Sequence, residues 1–82
     1  MKKEPPPITR FKNIDDLVKG NGDITIGRVG PVQCAAVAAD GDQQFAMLVR
    51  RPRETLDELL ARLDAAIGKA WDEQEYIDEI NP

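Results

Sequence analysis

The stretch Thr55–Trp71, TLDELLARLDAAIGKAW, constrains this chain more than any other. Its apolar residues Leu56, Leu59, Leu60, Leu63, Ala66, Ile67, Ala70 and Trp71 recur at the i, i+3, i+4, i+7 spacing of one helix face. Asp57, Glu58, Arg62, Asp64 and Lys69 fall largely on the other side. Thr55 followed by Glu58 is a capping-box signature, so the start of the helix is also encoded. A helix with one apolar face must bury it, and the remaining chain has to supply the surface.

That surface is predicted to be a sheet. Asp23–Val29 alternates around Ile24 and Ile26, and Gly30-Pro31 breaks it. Val32–Ala39, VQCAAVAA, has no polar face of helical period, although Pro31 and its alanines would also suit a short helix. The hairpin signal Asp40-Gly41-Asp42 and the strand-like Gln44–Arg50 favour a strand over 32–39. Its alanines then allow a helix to pack close. Phe45, Met47 and Val49 fall on one side of the third strand, Ala46 and Leu48 on the other. One of these sides is expected to meet Leu56, Leu60, Leu63 and Ile67. Asn13–Lys19 reads as a short helix with Asn13 as candidate N-cap and Gly20 as terminator.

The expected fold is therefore α+β: a short N-terminal helix, a three-stranded antiparallel β-meander and a long C-terminal amphipathic helix on one sheet face, in the order α-β-β-β-α. Residues 1–10, with Pro5-Pro6-Pro7, are expected to be a flexible tail, 11–71 a single α+β domain, and 72–82 an acidic C-terminal segment.

Composition narrows the chemistry. Eighty-two residues make one small domain. Histidine is absent, which removes the commonest general base and metal ligand. The lone Cys34 cannot form an intrachain disulfide or complete a zinc site, and its apolar setting suits a small buried hydrophobe. No glycine spacing makes a phosphate-binding loop. The expectation is a non-enzymatic protein with no catalytic residues, no metal and no cofactor. One cysteine and no secretory or membrane-spanning segment point to the cytoplasm.

Charge is uneven. The net −4 divides into +3 over residues 1–53 and −7 over 54–82. After Lys69 come only Asp72, Glu73, Glu75, Asp78 and Glu79, interspersed with Tyr76, Ile77 and Ile80. This acidic segment is expected to bind a protein partner of basic character, with Tyr76, Ile77 and Ile80 as anchors; the same three could instead pack back beside Trp71. Arg28, Arg50, Arg51 and Arg53 form a candidate anion-binding cluster, for which the acidic helix start offers neutralisation. Lys2, Lys3, Arg10 and Lys12 could extend it in an alternative reading as a nucleic-acid-associated regulator.

Two partial resemblances bear on that alternative. The element order, with Gly30-Pro31 opening a loop, resembles the double-stranded RNA-binding domain, which implies RNA binding there. That family's histidine after the Gly-Pro has no counterpart, and Glu54, Asp57 and Glu58 stand where it carries lysines. ETLDELLARLDAAI, residues 54–67, is similar to the helix start of HicB-type antitoxins, which implies a regulatory role. A nucleic-acid partner is not favoured. The leading expectation is a protein-interaction or regulatory module.

Overall fold

The computed structural model describes residues 10–81. Its elements are α1 (Lys12–Lys19), β1 (Asp23–Val29), β2 (Val32–Asp40), β3 (Gln43–Val49), α2 (Leu56–Glu73) and β4 (Ile77–Asp78). The tail expected over 1–10, including Lys2 and Lys3, lies outside the described residues except for Arg10.

Two tight hairpins build the antiparallel meander. Val29 pairs with Val32 across Gly30-Pro31, and Asp40 with Gln43 across Gly41-Asp42. Gly30 and Gly41 hold positive φ, 56° and 61°, at the first turn position, as primed hairpin turns require. Residues 32–39 are strand, and their alanines have the expected use. Ala36, Ala38 and Ala46 lie fully buried in the core with Leu48, Leu59, Leu63 and Ile67. Methyl-sized side chains let the helix axis settle close over the sheet.

The Ala46/Leu48 side of β3 therefore faces α2. A bulge shifts the register between Ala38 and Ala39, leaving Phe45 unpaired. Phe45 consequently leaves the row of Met47 and Val49 and packs on the core. It meets Trp71 edge to face, ring centroids 6.0 Å apart at 72°.

Three local expectations are corrected. The buried face of α2 is centred on Leu59, Leu63, Ala66, Ile67 and Ala70, so Leu60 is only half-buried, while Leu56, the first residue of the helix, is exposed. The helix is rotated because Leu59, not Leu60, lies in the same stripe as Leu63, Ala66 and Ala70. Asn13 does not cap α1; it lies inside that helix, and its amide donates to the Asp64 carbonyl at 3.0 Å. The Asp64 carboxylate instead accepts from the backbone N–H of Ile14 at 2.9 Å, so α2 supplies a cap for α1. Gly68 permits this approach, since a Cβ there would sit 2.8 Å from the Asn13 amide nitrogen.

The third correction lies past the meander. β4 adds a fourth strand, parallel to β3, with Ile77 opposite Ala46 and Asp78 opposite Met47. The acidic segment thus enters the sheet. Gln74 ends α2 in the left-handed region, φ 56°, and turns the chain back. The capping box at the other end is present: Glu58 N–H donates to Thr55 Oγ1 at 3.0 Å, and Thr55 N–H to the Glu58 carboxylate at 2.9 Å.

Leu63 is fully enclosed, whereas Leu60 retains solvent contact. Leu63→Ala should cost about 3 kcal/mol and Leu60→Ala about 1 kcal/mol or less. Urea midpoints of the two variants measure the difference.

Candidate functional site

Two regions hold the predicted site residues. The first is the junction where β3 ends, α2 begins and β4 docks. Arg50, Arg51 and Arg53 lie there, in the turn after β3. Arg28 sits beside the β1 irregularity in the same row of the sheet, since Gly27 pairs with Ala35 and Ala35 with Val49. The row spans two strand spacings, roughly 10 Å.

The arginines are not equivalent. The Arg50 guanidinium donates to the Glu54 carbonyl at 2.9 Å. Arg51 approaches the Glu79 carboxylate at 4.0 Å, and its backbone N–H donates to Glu54 Oε1 at 2.9 Å. Arg53 adopts φ 68° in the turn, and neither it nor Arg28 makes an ion pair among the described residues. Arg50 and Arg51 line an open groove of about 520 Å³ with Val32, Gln33, Cys34 and Pro52. The half-buried Cys34 packs on the core, and its carbonyl accepts from the Arg50 N–H at 3.0 Å.

The organising cation of this junction is Arg62. Its Nε donates to Glu54 Oε2 at 2.6 Å and one terminal nitrogen to Glu54 Oε1 at 3.0 Å. That nitrogen also donates to the Val49 carbonyl at 3.0 Å, and the other to Glu79 Oε2 at 3.0 Å. Glu79 Oε1 accepts from Val49 N–H at 2.8 Å. Both backbone polar groups at the end of β3 are thus satisfied by side chains of α2 and the C-terminal segment. The bonds from Arg62, and next the Arg51 N–H, hold the Glu54 carboxyl down at about 2. Glu54 in turn raises Arg62 above its ordinary value, and Glu79 adds to the effect.

The second region is the corner where α2 ends and β4 begins. Trp71 is 40% and Tyr76 51% exposed. Tyr76 immediately precedes Ile77, the partner of Ala46, which places it alongside Phe45 in the neighbouring strand. Asp72, Glu73 and Glu75 are exposed around them, with Lys69 3.8 Å from Glu75. Ile77 is half-buried and packs on the core, and Ile80 is half-buried beyond it. The predicted trio is therefore split: Tyr76 projects at the surface while Ile77 faces inward.

Sequence reasoning passed over two participants. Arg62 reads from the sequence as part of the polar face of α2, and its partners at 54 and 79 lie at separations that carry no helical or strand signal. Trp71 reads as part of the apolar stripe, but in the last turn of α2 it stays 40% exposed with one edge against Phe45. Among the described residues, no three His, Cys, Asp or Glu side chains are placed to hold a metal ion, and no helix is long and apolar enough to cross a membrane.

No family model matches the chain, and neither a curated protein nor a solved structure matches it.

Removing Arg62 leaves two carboxylates facing each other beside an unpaired carbonyl. Arg62→Ala should cost about 3 kcal/mol, and Arg62→Lys should recover less than half, because an ammonium cannot reach three acceptors in one plane. Denaturant titration checks both. Acid supplies an independent test. An unfolded Glu54 titrates near the ordinary 4.5 and the folded one near about 2, so the unfolded chain takes up the proton first. Its contribution is whole above about pH 5 and is lost as pH falls toward 2. Glu54→Gln should lower stability at neutral pH and flatten its decline over that window, read from thermal midpoints.

Proposed function

We propose that the protein is a non-enzymatic protein-interaction module that binds a basic partner at the Trp71–Tyr76 corner. One observation carries the reading: Trp71 near the end of α2 and Tyr76 just before β4 are both exposed, in a short stretch with the exposed carboxylates Asp72, Glu73, Glu75 and Asp78. Trp and Tyr supply most of the binding energy where they occur at interfaces, because they bury large area at little entropic cost. The carboxylates would steer a cationic surface toward them. Ile77 supports this segment from within the sheet, while the half-buried Ile80 lies beyond β4. The absence of histidine and the single thiol favour binding over catalysis. A reducing compartment such as the cytoplasm suits the free Cys34.

The nucleic-acid reading has less support. Arg50 and Arg51 are drawn into contacts with Glu54 and Glu79, and Arg62 is saturated by acceptors. Among the described residues Arg28, Arg50 and Arg53 make no ion pair, and Arg50 is held by the Glu54 carbonyl, so the cluster offers too few free cations to neutralise a duplex backbone.

Affinity capture from the native host, comparing the unaltered chain with a Trp71→Ala/Tyr76→Ala variant, tests the proposal. A basic protein retained by the first and released about 30-fold more readily by the second is the expected result. Capture insensitive to both substitutions, or recovery of nucleic acid in a salt-dependent manner, would overturn it.

A further inference from the structure

The two edges of the sheet are built differently. The β4 edge is two residues long, and the chain then turns away, the Asp78 carboxylate accepting the backbone N–H groups of Ile80 and Asn81 at 2.9 and 2.8 Å. The β1 edge runs seven residues, DITIGRV, and nothing among the described residues pairs with its outer side. It carries neither proline nor lysine, two of the devices that block an edge, and the register irregularity and Arg28 come only after Gly27. Ile26, on this strand, is 40% exposed, and so is 51% of Val18, near the end of α1 that leads into it. An edge of this kind is a template for another strand.

We propose that the occupant is a second copy of this chain, joined through antiparallel β1–β1′ pairing into one eight-stranded sheet. The register follows from the sequence. Side chains alternate faces, so a symmetric antiparallel pairing must match residues whose numbers sum to an even value. The irregularity after Gly27 limits the regular edge to residues 23–27. The pairing that uses all five places Thr25 opposite Thr25 of the second copy. Ile24 then faces the second copy's Ile26 twice over, on the face that α2 covers. Asp23 faces Gly27, with the second copy's Arg28 one position beyond, so unlike charges adjoin and like charges do not. Thr–Thr and β-branched pairs at directly opposed positions are among the favourable cross-strand combinations. The axis passes between the two Thr25 residues, perpendicular to the sheet, giving a closed two-fold dimer. It also leaves both Trp71–Tyr76 corners at the outer ends, clear of the interface. The inference does not depend on what those corners bind.

Five paired residues from each copy form a small interface, so the dissociation constant should fall at about 1–100 µM. Sedimentation equilibrium of the full chain over about 5–500 µM should show a weight-average mass rising from 9.1 kDa toward twice that value. Thr25→Lys sets two ammonium groups against each other across the axis and should hold the mass at the monomer value with an unchanged circular dichroism spectrum. Cross-linking supplies a second arm that survives any folding defect of that variant. Thr25→Cys in a Cys34→Ala background should form a disulfide-linked dimer in oxidised glutathione, because directly opposed residues bring their Cα atoms to roughly 4.5–5.5 Å. The control Asp42→Cys, at the β2–β3 turn, should not. A constant monomer mass across the whole range, a dimer indifferent to a folded Thr25→Lys, or equal cross-linking at 25 and 42 would each overturn the proposal.

Discussion

One guanidinium fixes how three segments of this chain meet. Arg62 binds the residue that precedes α2, the last carbonyl of β3 and the carboxylate that follows β4. The hydrophobic layer alone would allow α2 to slide along the alanine floor of β2 and β3, because burial is non-directional. The planar fork of Arg62 does not tolerate such sliding. It also explains how a strand of two residues can hold a sheet edge. Glu79 accepts from Val49 N–H and donates its own N–H to the Met47 carbonyl at 2.7 Å, so a side chain continues the ladder that the backbone leaves off.

The contact of α2 with α1 is fixed by different means. Asp64 and Gly68 receive the first turn of α1, one as hydrogen-bond acceptor and the other as empty space. Arg10 adds a two-pronged contact to Asp57, at 2.8 and 2.7 Å, but both side chains are largely solvated and this pair contributes little. The long helix is thus fastened by polar contacts from Asp57, Arg62 and Asp64 in its first half and by apolar packing along its buried face. These attachments divide the labour between specificity and adhesion.

The main chain was legible because its signals are local. Thr55 and Glu58 announce the start of α2, Gly30-Pro31 marks the end of β1, Asp40-Gly41-Asp42 announces the second hairpin, and the small residues of β2 announce close helix packing. What escaped prediction was non-local. Choosing Leu59 over Leu60 as the buried position requires knowing where the sheet lies, since both fit the same periodicity. The bulge that sends Phe45 to the core is one surplus residue in a pairing, and no residue type marks it. β4 is too short for a pattern, and its place beside β3 depends on Gln74 adopting a left-handed turn that glycine or asparagine more often signals. The acidic segment could be recognised as unusual from composition, but its division into inward Ile77 and outward Tyr76 is a property of strand alternation that had first to be recognised as a strand.

The same guanidinium has a bearing on how this fold can change over generations. Positions 54, 62 and 79 are scattered in the sequence, yet losing Arg62 strands both carboxylates, and losing either carboxylate leaves the guanidinium with fewer acceptors. A single substitution is therefore a step down, while a joint replacement by apolar side chains of similar volume is close to level ground. The three positions should drift as a linked set, crossing between ionic and apolar solutions only when changes arrive together. By contrast, the solvated face of α2, at Ala61 or Asp57, is free to wander one residue at a time.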